Sequence, residues 1–234
     1  MSKLIVALDF TEEQKAKEMV QTLGDSADFY KVGLELFLNS RGNMLDYLKK
    51  ENKKIFLDLK FHDIPNTVAQ AAKWAASLGV EMFNVHASGG RDMQKMTVDA
   101  VNFEAVRHGV KPPLLIAVTV LTSFDEESFA EVGFKKPINE SALQMAKLSS
   151  ETGMDGVVCS ALEAKSIKQA FGHDFVTVCP GVRPLWAASQ DQKRIVTPAQ
   201  AKENLADYIV VGRPITANQD PYQAALDINK ELQG

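Results

Sequence analysis

The sequence predicts one α/β domain over residues 1–234, a single (β/α)8 barrel of TIM type with its active site at the C-terminal ends of the strands. Three observations predict it. Short apolar runs alternate with longer amphipathic stretches along the whole chain. The runs are almost continuously apolar, as parallel strands covered on both faces must be. No Pro/Gly/Ser-rich or low-complexity stretch marks a linker that would divide the chain. Eight strand–helix units in 234 residues average about 29 each, close to a minimal repeat. A doubly wound open sheet is the competing architecture, and the strand count favours closure.

The predicted strands are Leu4–Leu8, Phe29–Val32, Ile55–Leu59, Met82–Val85, Leu114–Val120, Gly156–Cys159, Phe175–Cys179 and Tyr208–Val211, each rich in Val, Ile, Leu or Phe. Helix starts fall between them. Thr11-Glu-Glu-Gln14 and Ser160-Ala-Leu-Glu163 fit a capping box, in which hydroxyl and N3 side chain satisfy orphan amides. Thr197-Pro-Ala-Gln200 and Asp220-Pro-Tyr-Gln223 add proline at the first helical position, where its missing N–H costs nothing.

Composition excludes several functions. With 26 basic and 30 acidic side chains the net charge is −4, and no Lys/Arg-rich run offers the footprint of a nucleic-acid binder. A small anionic ligand remains compatible, because a few placed cations suffice. Cys159 and Cys179 sit in apolar stretches and read as buried free thiols of a reducing compartment. The five apolar residues Leu4–Leu8 are too short for a signal-peptide core, and no apolar run reaches the roughly 18 residues that span a bilayer. The expectation is a soluble, cytoplasmic protein with no membrane partner.

The residues after each strand carry the chemistry. Asp9 follows the first run and Lys31 lies near the end of the second. Asp58 and Lys60 end the third, His86 the fourth, Thr119 and Thr122 the fifth, Pro180-Gly-Val-Arg183 the seventh and Gly212-Arg213 the eighth. In a barrel all of these converge on one face. Side chains alternate along a strand, so Asp58 and Lys60 share one face while Leu57 and Leu59 take the other. Charges toward the outer helices are costly, which sends Asp58 and Lys60 to the barrel mouth. Lys31 and Asp63 extend the pair to an alternating Lys-Asp-Lys-Asp array that keeps Lys60 an ammonium. A structural ion pair is the plainer reading. Desolvating such an array is a poor route to stability, so catalysis explains it better. His62 and His86 lack metal-ligand spacing and read as surface or supporting groups, so no metal is expected. No dinucleotide or triphosphate fingerprint occurs either.

At this stretch the chain resembles the orotidine 5′-phosphate decarboxylases. Their Asp-x-Lys-x-x-Asp pattern stands here as Asp58-Leu-Lys60-Phe-His-Asp63, followed by Ile64-Pro-Asn-Thr67. Val6-Ala-Leu-Asp9, Tyr30-Lys31-Val-Gly, Val85-His-Ala-Ser-Gly-Gly90 and Val118-Thr-Val-Leu-Thr122-Ser123 match other landmarks in order. Cys179-Pro-Gly-Val-Arg183-Pro, Asp191-Gln192-Lys-Arg and Val211-Gly212-Arg213-Pro-Ile-Thr complete the set, from Asp9 to Thr216.

The resemblance implies conversion of orotidine 5′-monophosphate to uridine 5′-monophosphate (UMP) and CO₂ in pyrimidine synthesis, without metal or cofactor. It implies Lys60 as proton donor to C6, Asp58 against the departing carboxylate, and Asp9 and Lys31 on the ribose hydroxyls. It also implies a homodimer in which Asp63 and Thr67 enter the partner's site. Thr122 and Ser123 would read the pyrimidine; Arg183, Gln192, Gly212 and Arg213 would take the phosphate, with residues 184–196 as a lid. The length of the chain suggests a monofunctional, bacterial-type enzyme. Two rivals remain: the Mg²⁺-dependent sugar-phosphate decarboxylases and aldolases that share Asp-x-Lys-x-x-Asp, and a catalytically silent nucleotide-binding barrel. In the Mg²⁺-dependent relatives an acidic residue occupies the place of Lys31, and a lysine there repels the metal.

Overall fold

The computed structural model describes residues 2–187 and 196–233. Its eight strands are β1 (Lys3–Ala7), β2 (Phe29–Gly33), β3 (Lys54–Phe61), β4 (Met82–His86), β5 (Leu114–Val118), β6 (Gly156–Val158), β7 (Val176–Pro180) and β8 (Tyr208–Val211). They pair in sequence order, every pair parallel, and β8 returns to β1 to close the barrel. Helices lie between successive strands, from Glu13–Leu23 after β1 to Pro221–Gln233 after β8. The predicted strands are all present with ends shifted by no more than two residues, and β8 matches at both ends. The largest change is β3, which runs on through Lys60 and Phe61.

Strand parity divides the core in two. Ile5, Phe29, Phe56, Met82, Ile116, Val178 and Val210 fill the barrel interior. Leu4, Val6, Tyr30, Val32, Ile55, Leu57, Phe83 and Val85 face the helices. Two residues beyond Phe29, Phe56 and Met82 on the inward parity come Lys31, Asp58 and Asn84, so the interior passes from apolar to polar toward the C-terminal mouth. At the β6–β7 seam, a Cβ on Gly156 would lie 2.1 Å from the Val176 carbonyl oxygen, so this close approach admits only glycine.

Helix starts follow the expected chemistry in part. Thr197 and Gln200 form a reciprocal capping box, and Asp220 Oδ1 accepts from the Gln223 amide. The Thr11 box does not form. The first helix begins at Glu13 behind Glu12, and the Thr11 hydroxyl donates instead to Glu35 Oε1. At Ser160 only the return bond exists, from the Ser160 amide to Glu163 Oε2, and the helix starts later, at Ala164. Cys159 and Cys179 are buried free thiols with their sulfurs 4.0 Å apart. Among the described residues no helix is long and apolar enough to cross a membrane.

Candidate active site

The ends of β1, β2 and β3 bring a chain of charges together at the mouth. Lys31 Nζ donates to Asp9 Oδ1 at 2.8 Å and lies 3.4 Å from Asp58 Oδ2. Lys60 Nζ reaches Asp58 Oδ1 at 2.6 Å. Asp58 thus stands between two ammonium groups, and Lys31 between two carboxylates. The side chains of Asp58 and Lys31 are each 11% exposed, whereas Lys60 is 35% exposed. The buried members are therefore fixed, and the Lys60 ammonium is the one presented to the open mouth. Gly33 leaves room for this packing, since a Cβ there would sit 3.0 Å from Lys31 Nζ.

Burial alone pushes the Asp58 carboxyl upward. The charges of Lys31 and Lys60, with hydrogen bonds from Lys60 and Asn84, outweigh it and hold the group below the usual carboxylate range. A lowered folded-state value means that the ionised array contributes stability above the unfolded value, and that this is lost as pH falls through the folded value. The melting temperature of Asp58→Asn should therefore lie below that of the parent at neutral pH. The gap should narrow as pH drops below the ordinary carboxylate range. A gap independent of pH across parallel melting series would contradict the array.

Beside the β1 end of this array, the segments after β7 and β8 form an open cleft of about 350 Å³ lined by Arg183, Trp186, Arg213, Pro214 and Asn218. Two guanidiniums thirty residues apart in sequence thus face one space, an arrangement suited to an anion. Gly212 ties this cleft to the charge array, because a Cβ at 212 would meet Asp9 Oδ2 and Ala7 Cβ at 3.6 Å. That is ordinary contact distance. A backbone bond from the Arg183 amide to the Val196 carbonyl closes the base of the segment between them.

A family model described as "Orotidine 5'-phosphate decarboxylase / HUMPS family" matches residues 2–228. The chain belongs to this family. An orotidine 5′-phosphate decarboxylase of Nostoc sp. is 50% identical over 231 residues, covering 98% of this chain and 97% of the relative. One from Carboxydothermus hydrogenoformans is 46% identical over 232 residues, covering 99% and 96%. Among solved structures, the orotidine 5′-phosphate decarboxylase of Lactobacillus acidophilus superposes with a TM-score of 0.88 at 41% identity, over 100% of both chains.

Within this decarboxylase-family barrel the remaining expected site residues fall in three places. Thr122 and Ser123 are exposed in the turn after β5, on the same C-terminal side as the array. Asp63 and Thr67 are exposed at the start of the helix Pro65–Ser77. Asp63 Oδ1 accepts from the Ile64 amide, and among the described residues Asp63 makes no ion pair with Lys60. Gln192 and most of segment 184–196 lie outside the described residues.

Two features were not anticipated. Lys60 has φ of +52°, in the left-handed region that costs a residue with a Cβ roughly 1–2 kcal/mol. Asn84, fully buried in β4, bonds both Asp58 and Lys60. A polar residue inside an apolar strand was the available signal for Asn84. Its partners become visible only once β3 and β4 are in register. The His86 imidazole, its ring 5.3 Å from that of His62, is pushed below its ordinary value by burial, then by His62 and Lys60, against the opposing charge of Asp58.

Proposed function

We propose that this single-domain barrel decarboxylates orotidine 5′-monophosphate to UMP and CO₂, with Lys60 as the proton donor to C6. The observation that carries the reading is the Lys60–Asp58–Lys31–Asp9 chain, which holds an ammonium at the barrel mouth, with a two-arginine cleft in the segments after β7 and β8. The phosphate enters the Arg183/Arg213 cleft beside Gly212, with Gln192 as a further donor. The ribose hydroxyls meet Asp9 and Lys31, and Thr122 and Ser123 contact the pyrimidine edge. The C6–carboxylate bond breaks with its electron pair left on C6, a vinylic carbon that delocalises charge poorly. A pre-positioned ammonium stabilises that charge without reorganising. Lys60 then gives C6 its proton, and water reaching its partly exposed amine restores it. Asp58 acts chiefly by holding both lysines.

The proposed site needs neither metal nor organic cofactor. The Lys31 ammonium stands between the Asp9 and Asp58 carboxylates, at the place of the acidic residue that helps hold Mg²⁺ in the metal-dependent relatives, and its charge opposes a cation. The proposed working form is a cytoplasmic homodimer in which Asp63 and Thr67 reach the partner's site. Leu34, Leu38, Ile64 and Trp74, all exposed on the segments that follow β2 and β3, offer apolar surface for it. Two thiols 4.0 Å apart and unjoined suit a reducing compartment.

The test is an absorbance assay with orotidine 5′-monophosphate and excess EDTA. Rapid loss of the orotate chromophore supports the reading. Activity that needs added Mg²⁺, or UMP binding without turnover, replaces it with one of the two rivals. Arg213→Ala should lose a charge-assisted contact of about 2–3 kcal/mol, roughly a 10²-fold fall in kcat/KM. An unchanged kcat/KM would remove Arg213 from the phosphate site.

A further inference from the structure

Asn84 has no part in the reaction as derived above, yet it is fully buried in the middle of β4. A buried carboxamide is tolerated only when both ends are bonded. Here each end is used on the catalytic strand. Nδ2 donates to Asp58 Oδ1 at 2.7 Å, and Oδ1 accepts from the Lys60 amide at 2.9 Å. The reason lies in the ladder. β3 and β4 pair as Phe56 with Met82 and Leu57 with Phe83, then slip to Phe61 with Val85, so three residues of β3 stand against Asn84 alone. The slip takes the Lys60 N–H out of the ladder, and the Asn84 side chain supplies the acceptor that the backbone no longer does. It also accompanies the left-handed φ of Lys60, a conformation that persists only where its surroundings hold it. Lys60 Nζ and Asn84 Nδ2 converge on the same oxygen of Asp58, leaving the other oxygen to Lys31.

We propose that Asn84 is a positioning residue for the decarboxylation, a carboxamide clamp that locks Asp58 and the strained backbone of Lys60 into one rigid unit. Without it the Lys60 amide is unsatisfied, the residue is free to relax toward ordinary strand geometry, and the ammonium leaves its aim at C6. This inference rests on the decarboxylase reading. It predicts a loss in the chemical step and not in nucleotide capture, because the proposed phosphate and ribose contacts lie on other strands.

The experiment compares parent and Asn84→Ala with orotidine 5′-monophosphate, with kcat expressed per UMP-binding site counted by calorimetry. For Asn84→Ala, kcat per site should fall about 10²-fold, the scale of an ångström-level misplacement. KM and the UMP dissociation constant should stay within about threefold of the parent. The acid limb of kcat against pH should move upward, since Asp58 loses a hydrogen bond to its ionised form. The other groups facing Asp58 are unchanged in both proteins: Lys31 with Asp9 behind it, Lys60, and His86 with His62. If Asn84→Ala fails to fold, Asn84→Ser carries the same test; its hydroxyl is too short to bond both Asp58 and the Lys60 amide, and it adds no charge beside Asp58. A variant with parental kcat per site and an unmoved acid limb overturns the inference, as does a loss confined to the number of UMP sites, the mark of a merely structural role. A parent that does not consume orotidine 5′-monophosphate instead overturns the decarboxylase reading itself.

Discussion

Lys60→Ala is expected to abolish decarboxylation, with kcat falling about 10⁴-fold or more, while UMP still binds. Two roles vanish with one side chain. A positioned general acid contributes about 10²–10⁴-fold, and a fixed donor aimed at developing charge about another 10²–10³-fold. Binding survives because the proposed phosphate cleft, with Arg183 and Arg213, stands apart from Lys60, and Asp9 and Lys31 keep their own ion pair. Asp58 retains Lys31 and Asn84 as partners, so the fold should tolerate the change. Single-turnover loss of orotate absorbance, beside UMP calorimetry, checks both halves. Lys60→Arg sharpens the test, since guanidinium restores the charge but gives up a proton far less readily. Arginine should recover little turnover. Near-parental turnover in either variant would take the proton-donor role away from Lys60.

Much of this was legible in the sequence, for physical reasons that differ from residue to residue. Eight apolar runs reveal the strands because a doubly covered parallel strand has no polar face to interrupt the pattern. Asp58 could be aimed into the barrel by parity together with the cost of turning a charge toward the helices, and it lies there, buried between Lys31 and Lys60. Arg183 and Arg213 meet because barrel strands adjacent in sequence are adjacent in space. Lys60 is subtler. Simple alternation put it beside Asp58, and it is beside Asp58, but by way of a slipped register and a positive φ that alternation does not contain. Asn84 escaped for the same reason, since its two bonds cross to β3 and depend on that slip. The capping boxes show the limit of local signals. Thr197 finds its partner three residues on, whereas the same pattern at Thr11 gives way to a bond with Glu35, a residue 24 positions distant.

Mixing two inactive variants should restore activity, and the amount follows from how the site is divided. Asp63 points out of its own chain's array, exposed and bonded only to the Ile64 amide among the described residues. If it completes the partner's site, Asp63→Ala and Lys60→Ala each spoil both sites of their own dimers. In a hybrid dimer one site combines Lys60 from one subunit with Asp63 from the other and is intact, while the second lacks both. Equal mixing with free exchange makes about half the dimers hybrid, each with one working site of two, or about a quarter of parental activity. Subunit exchange is followed independently with a tag on one variant and native mass spectrometry. Recovery that rises with the hybrid fraction toward that quarter supports a site shared between subunits. Hybrids formed in the expected amount but without activity would place Asp63 outside the partner's site, leaving the Lys60–Asp58–Lys31–Asp9 chain to work within one barrel.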